Sequence, residues 1–257
     1  VVITGMGVIS PVGNDVNTFW SNLCNGVCGI DHIKSFPTDN LPVGIAGIIK
    51  DFKAEEYGMD KPFIRKQDLF TQYGVAAAYQ AMKQSGLSSQ GENKNIDPFR
   101  LGVYFGSGIG GFATQYREIS KMIEDPSGQW ISPLFIPTMI SNIAAGHIAI
   151  LNNAQGPCLD IVTACATSTN AMGEAFRAIR NGYADAIITG GCENATIPIG
   201  IVGFANAKAL SRATDPNYAS LPFNGNRAGF VMADGSAALV LEEYEHAKAR
   251  GAKIYAE

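Results

Sequence analysis

Leu159-Asp160-Ile161-Val162-Thr163-Ala164-Cys165-Ala166-Thr167-Ser168-Thr169 decides how the chain is read. An apolar, β-branched run stops at a cysteine. Small residues follow, and a helical pattern then runs through Met172, Ala175, Phe176 and Ile179 to Gly182. The spacing predicts strand, sharp turn and helix, with Cys165 at the turn. A thiol there lies at the positive end of a helix dipole, near backbone N–H groups that lack partners. Both features favour negative charge at that point, and the thiolate is the nucleophilic form of cysteine. The same N–H groups could hold the oxyanion of an acyl-transfer step. The logic is that of the nucleophile elbow of serine hydrolases, with sulfur in place of oxygen. A buried structural cysteine fits the local pattern equally well, because free cysteine is among the most buried residue types.

Working outward, strands alternate with helices. Val1–Thr4 reads as a buried strand. Asn14 can cap a helix from about Asp15 to Asn25, closed by Gly26. Val43–Ile49 is a strand, and Arg65–Ser85 a helix with an Ala-rich face, closed by Gly86. Leu101–Phe105 is a strand entering a glycine loop, with a helix over about Ala113–Ile123 behind it. Pro133 to Pro137 breaks the chain, and a helix over about Met139–Leu151 follows. Beyond the elbow come a strand at Ala186–Thr189, a helix at Ile199–Leu210, a strand at Ser236–Leu241 and a helix at Glu242–Arg250. Lys253–Glu257 looks like the start of another strand. This alternation argues for an α/β fold with a mostly parallel sheet. The long irregular segment Ser211–Gly235 is the candidate functional loop.

Composition narrows the classes. Of 257 residues, 16% are charged, 46% are hydrophobic and 29 are glycine. Charge well below the usual soluble level of about 25% points to elements buried on more than one face. A net charge of −4 argues against an extended nucleic-acid surface. No apolar run approaches the ~18 residues of a membrane span. The five cysteines, Cys24, Cys28, Cys158, Cys165 and Cys192, show no C-x-x-C pair and no metal-ligand spacing. Free thiols in a reducing cytoplasm are the simplest reading.

Two features compete for attention. Gly106-Ser107-Gly108-Ile109-Gly110-Gly111 fits G-x-G-x-x-G after a strand, as a dinucleotide site would. No second strand ending in an acidic residue lies about 20 residues on, so close approach of the backbone to a ligand or another chain is the preferred reading. Among the histidines, His147 reads as a packed helix residue, His246 as solvated in a charged helix, and His32 as a loop residue. None forms an assignable dyad with a cysteine.

The elbow Val162-Thr163-Ala164-Cys165-Ala166-Thr167-Ser168 resembles the active-site cysteine motif of the elongating type II β-ketoacyl-acyl-carrier-protein synthases. The resemblance covers essentially the whole chain. Val1-Val2-Ile3-Thr4-Gly5-Met6-Gly7 with Pro11-Val12-Gly13-Asn14 is similar to their opening. Gly106–Gly111 is similar to their glycine loop, and Ile131–Pro137 to a pocket and dimer segment. Thr189-Gly190-Gly191-Cys192-Glu193, Gly229-Phe230-Val231 and Leu239–Glu242 also fit. The chain departs from the pattern at Asn224 and Ala228, where the family usually has Asp, and at Ala233, where it has Gly.

The resemblance implies a thiolase-like layered αβαβα fold, with residues 1–251 as the N-terminal half and 252–257 as the start of the next. It implies an acyltransferase of fatty-acid elongation that condenses a Cys165-bound acyl group with malonyl-acyl-carrier protein, losing carbon dioxide. Cys165 would be the nucleophile and its backbone N–H an oxyanion donor. Ile109, Phe135 and Phe204 would wall the acyl pocket, with Ile109 its gate and Phe135 reaching across from a partner subunit. Arg65 and Lys66, opening one helix, and Lys208, ending another, would dock the acidic carrier protein. A homodimer is implied, joined through a doubly buried strand at about Cys158–Val162. No metal or dissociable cofactor is required. The family's catalytic histidines and lysine lie beyond the residues matched here. A non-catalytic partner half is the first rival reading. A polyketide-type or thiolase-type condensing enzyme is the second.

Overall fold

The computed structural model describes residues 1–257. In chain order the elements are β1 (Val2–Ile9), α1 (Val16–Cys24), β2 (Ile30–His32), β3 (Ile45–Gly47), α2 (Lys61–Lys66), α3 (Leu69–Ser85), β4 (Leu101–Gly106), α4 (Phe112–Glu124), α5 (Phe135–Met139), α6 (Ile143–Leu151), β5 (Cys158–Leu159), α7 (Thr167–Arg180), β6 (Ala186–Glu193), α8 (Pro198–Asn206), β7 (Gly235–Glu242) and α9 (Tyr244–Ala249). Five strands form one sheet in the order β1-β7-β6-β4-β5. β5, β4 and β6 pair in parallel, and β7 is antiparallel to both β6 and β1. Four of the five strands therefore run the same way. Helices α3 and α6 cover one face and α7 the other, and β2 with β3 forms a small separate hairpin. The chain is thus α/β/α, the layering expected of one half of the thiolase-like fold.

Helix α3 sits at the centre, with twelve of its 17 residues buried, among them Ala76, Ala77, Ala78 and Ala81. Small side chains let it press on the sheet. A Cβ on Gly5 would lie 2.1 Å from the Ala81 carbonyl oxygen, and one on Gly7 2.0 Å from that of Ala77. The strand read at Val1–Thr4 therefore runs on to Ile9 with Gly5-Met6-Gly7 in its interior, because the glycines clear space for α3. The core gathers around α3, β4 and α6, with a second cluster under α8 and a third under α7.

Several boundaries differ from the sequence expectation for identifiable reasons. Arg65–Ser85 is two helices, because Gln67 is extended and Asp68 caps α3. Arg65 and Lys66 therefore close α2 instead of opening a helix. Asp15, not Asn14, caps α1, accepting from the N–H groups of Asn17 and Thr18 at 2.9 Å. The proline segment contains the short helix α5, and α6 starts only at Ile143. On α7 the buried stripe is Ala171, Ala175, Ala178 and Ile179, while Phe176 is exposed. β5 has two residues, Cys158 and Leu159, both exposed at the sheet edge of the single chain, so the strand is shorter than Cys158–Val162. Lys253–Glu257 contributes a single bridge, Ile3 to Ala256.

Glu242 ends β7 rather than opening a helix, and it is fully buried. Its carboxylate accepts from Arg250 Nε and Nη2 at 2.6 and 2.7 Å and from Thr4 Oγ1 at 2.8 Å. His246 Nδ1 lies 2.7 Å from it, so His246 is a partner of this cluster and not a solvated side chain. Arg250 also donates to the Ser85 carbonyl at 2.9 Å, tying α9 to α3. Burial pushes the Glu242 carboxyl up, but the hydrogen bonds from Arg250, His246 and Thr4 outweigh it and hold the group below its ordinary value. Removing one partner of such a pair strands a buried charge. Arg250→Ala in the full-length protein is expected to cost about 3–5 kcal/mol at pH 7 in denaturant unfolding. A depressed carboxylate contributes stability above its unfolded pKa and loses it as pH falls through the folded value. The difference between variant and wild type should therefore shrink on acidification below about pH 4. Equal stabilities at neutral pH would contradict this role.

Candidate active site

Beyond β5 the chain runs through Asp160–Thr163 into a 3-10 turn, Ala164–Ala166, and then into α7. Ala164 has φ +51, a left-handed conformation that a non-glycine residue holds only under constraint. The constraint is visible. The Thr163 N–H donates to Thr167 Oγ1 at 2.9 Å, and Asn170 Nδ2 donates to Thr163 Oγ1 at 2.7 Å. The Ala166 and Thr167 N–H groups are spent on the carbonyls of Thr163 and Ala164, and the Cys165 N–H takes part in neither bond. Cys165 is exposed. The turn and helix expected from the sequence are present, with the strained residue one place before the thiol, but the run Asp160–Thr163 that leads into them is not strand.

Cys165 opens into a cavity of about 610 Å³, walled by Ile109, Phe204, Phe230 and Met232. Phe204 and Phe230 meet edge to face, with centroids 5.4 Å apart. A second cavity of about 660 Å³ lies beside the first, lined by Gln115, Met139, Ser141, Cys158 and Asp160 among others. Ile109 is the one residue common to both walls. Ile109, Phe204 and Cys165 are thus brought together. Phe135 borders neither cavity. Arg65 and Lys66 edge a separate cleft between α2 and α4, and Lys208 is exposed beyond α8 with φ +57. None of the three cations forms an ion pair within the chain.

Two other thiols lie along the walls of these cavities. Cys192 is buried at the back of the Cys165 cavity, and burial drives its thiol well above the ordinary value, with the Glu193 charge adding to the effect. Burial, with Asp160 nearby, also raises Cys158. Both shifts disfavour the thiolate, the nucleophilic form. Two carboxyls line the cavity as well. Glu193 is raised by burial against hydrogen bonds from Ser107 and Gly108, and Asp234 by burial against those from Thr196 and Asn194. Sequence reasoning assigned neither a role. Glu193 ends Thr189-Gly190-Gly191-Cys192-Glu193, and no local signal in the sequence shows that it faces the glycine loop 86 residues away. That contact also settles the G-x-G-x-x-G pattern, because a carboxylate occupies the loop N–H of Gly108 where a dinucleotide phosphate would need it.

No histidine lines the Cys165 cavity. His147 packs edge to face on Phe63, and His32 is exposed on β2 rather than in a loop. No group of three or more His, Cys, Asp or Glu is placed to hold a metal ion. Of the three positions that depart from the resembled pattern, 224 and 228 are exposed. Ala233 lines the cavity, and it faces Gly47, whose missing side chain leaves it room.

The elbow depends on the end of β4. A Cβ on Gly106 would fall 2.2 Å from the Ile161 carbonyl oxygen and 2.4 Å from Thr167 Cγ2. Gly106→Ala must therefore push the turn away from the sheet, an overpacking that costs about 1–3 kcal/mol. It is expected to lower the melting temperature of the full-length protein and to slow alkylation of Cys165 by iodoacetamide, followed by mass spectrometry. Unchanged values for both would contradict the close approach.

The family model "Beta-ketoacyl synthase, N-terminal domain" matches residues 1–247. The chain is 48% identical over its whole length to a protein of Vibrio cholerae named 3-oxoacyl-[acyl-carrier-protein] synthase 2, and 46% identical to one of the same name from Staphylococcus aureus. In both comparisons it spans 61% of the relative's length. Among solved structures it superimposes on a β-ketoacyl synthase from Burkholderia phymatum with TM-score 0.85 at 28% identity, covering 98% of this chain and 61% of that one. It also superimposes on the ketosynthase of a type II polyketide synthase, AntDE, solved with its acyl-carrier protein AntF. The TM-score is 0.86 at 30% identity, covering 99% of this chain and 60% of that one. The layered α/β sheet, the elbow with its exposed cysteine and these matches agree, and the chain belongs to the β-ketoacyl synthase family, whose N-terminal domain it comprises.

Proposed function

We propose that this chain is the nucleophile-bearing part of an enzyme that lengthens fatty-acyl chains. Cys165 Sγ attacks the carbonyl of an acyl thioester on acyl-carrier protein, the carrier thiol leaves with a proton, and a Cys165 thioester remains. Malonyl-carrier protein then loses carbon dioxide, and its carbanion attacks that thioester, so that a carbon–carbon bond forms and the Cys165 thiolate departs. Sulfur suits both steps, being a good nucleophile and a good leaving group. The Cys165 N–H is the nearest candidate for the oxyanion of each tetrahedral intermediate. One observation carries the reading: an exposed thiol on a strained elbow opens into an apolar cavity, while burial disfavours the thiolate of Cys192 in the same wall and of Cys158 in the neighbouring one.

A non-catalytic partner half would have no need of that thiol or its elbow. A polyketide-type role is supported only by structural neighbours at lower identity than the 46–48% of the fatty-acid-type relatives. Since no histidine lines the cavity, the reading assigns the decarboxylating groups to the remaining part of a protein as long as its relatives. Residues 1–251 then form one half of the layered fold. The full-length protein, given acyl- and malonyl-carrier protein, is expected to yield β-ketoacyl-carrier protein, and Cys165→Ala to abolish it. Product from the Cys165→Ala protein would overturn the assignment.

The acyl chain passes Ile109, which divides the two cavities, with Phe204 as a wall on the Cys165 side. The acidic carrier docks on Arg65, Lys66 and Lys208, three exposed cations that no acidic residue of the chain satisfies. Complementary charge acts mainly on encounter. Replacing Arg65 and Lys208 by Glu should therefore raise KM for the carrier-bound substrate at low salt with little change in kcat. An unchanged KM refutes the patch.

A homodimer completes the reading. β5 leaves an open sheet edge, and α4 is inverted: Thr114 and Glu118 are buried while Tyr116, Ile119, Met122 and Ile123 face outward. Trp130 and Ile136 extend the same exposed apolar surface. Unpaired edges and apolar patches of this kind mark contacts with another chain, and a second copy would bring Phe135 toward its neighbour's pocket. Sedimentation should show a dimer of the full-length protein at micromolar concentration, and a monomer would contradict it. No helix is long and apolar enough to cross a membrane. A reducing cytoplasm, in which five free cysteines stay reduced, is the location proposed here.

A further inference from the structure

The loop that carries Ile109 is held from one side by a carboxylate. Glu193, the last residue of β6, accepts from Ser107 Oγ at 3.0 Å through Oε1 and from the Gly108 N–H at 2.9 Å through Oε2. The Ile109 backbone also stabilises its charge. Packing is tight enough that a Cβ on Gly108 would lie 2.9 Å from Glu193 Oε2. Ser107 relays the grip, since its hydroxyl also accepts from the Gly110 N–H at 2.9 Å and is itself buried. The far end of the loop is tied separately, the Gly111 N–H donating to the Met139 carbonyl at 2.9 Å. Between these ties stands Ile109, the only side chain shared by the two cavities.

We propose that Glu193 is a positioning residue that latches the 106–111 loop and so sets which acyl chains pass Ile109. The inference rests on reading Ile109 as the gate. While the latch is closed, the main chain at 108–109 is fixed and only side-chain rotation can widen the passage. Losing an acceptor frees the main chain to shift and lets a long chain pass more easily. A short chain, which ends within the Cys165 cavity, is indifferent. Glu193 touches neither the thiol nor the reacting carbonyl in this account; it acts through the loop.

The test measures alkylation of Cys165 in the full-length protein by N-ethyl and N-dodecyl chloroacetamide, followed by intact mass. It needs no malonyl step, so its outcome is independent of the condensation assay. Glu193→Gln keeps the shape but replaces one accepting oxygen by a donor. It should raise the ratio of long- to short-chain labelling by about tenfold, the equilibrium effect of one lost charge-assisted hydrogen bond. Ser107→Ala should move the ratio the same way by less, and it decides the matter if the Glu193→Gln protein does not fold. Ile109→Phe should lower the ratio. A ratio unaltered by Glu193→Gln and Ser107→Ala but lowered by Ile109→Phe overturns the latch and leaves the gate standing. A ratio that Ile109→Phe leaves untouched removes the gate and the latch together. Equal slowing of both reagents in Glu193→Gln, with a lower melting temperature, makes Glu193 structural only.

Discussion

The site depends on how closely the end of β4 approaches the turn that carries Cys165. At Gly106 the sheet backbone touches the Ile161 carbonyl and the Thr167 side chain, leaving no room for even a methyl group. That contact fixes the start of α7 against the sheet. Ala164 is then forced into the left-handed region, and Cys165 is lifted out of the core into the cavity. The same economy of side chains operates under β1, where Gly5 and Gly7 admit the alanine face of α3. A chain rich in glycine and poor in charge is what such close layers require.

The few charges that are buried each hold one piece of chain to another. Glu242 joins β1, β7 and α9. Glu118 joins α4 to the segment before α5: burial raises its carboxyl, but the Ser132 N–H, Lys121 and Arg117 outweigh that and bring it to about 2. Asp234 binds the turn after β6 through the N–H groups of Ala195 and Thr196 at 3.1 and 3.0 Å. Glu193 grips the glycine loop. For Glu242 and Glu118 the hydrogen bonds outweigh the desolvation, whereas for Asp234 and Glu193 burial wins and the carboxyl stays above its ordinary value. The two that line the Cys165 cavity, Glu193 and Asp234, stabilise its walls and leave the thiol as the reacting group.

The elbow was legible in the sequence because its signals are local: a β-branched run, a cysteine, small residues and a helical stripe. The strand and helix order was legible for the same reason. What escaped depended on distant partners. The first strand looks as if it stops at Thr4 until Ala77 and Ala81 are seen above Gly7 and Gly5. Arg65–Ser85 looks like one helix because the break at Gln67 and Asp68 is stabilised by Thr114, far along the chain, whose N–H and hydroxyl both donate to Asp68. His246 looks solvated because its partner Glu242, one turn back, belongs to a strand. Glu193 and Ser107 are 86 residues apart, and no periodicity links them. Ile109 was legible as the bulky residue of the loop, but only the folded chain shows that it stands between two cavities.

The central claim is that Cys165, and no other thiol, carries the acyl group. Peptide mass spectrometry of the full-length protein after incubation with acyl-carrier protein bearing a saturated acyl thioester tests it most directly. The account predicts one acyl adduct, hydroxylamine-sensitive as a thioester must be, on the peptide containing Cys165. An adduct on Cys158 or Cys192 with Cys165 free, or a carrier that stays fully acylated with no adduct on the protein, would contradict it.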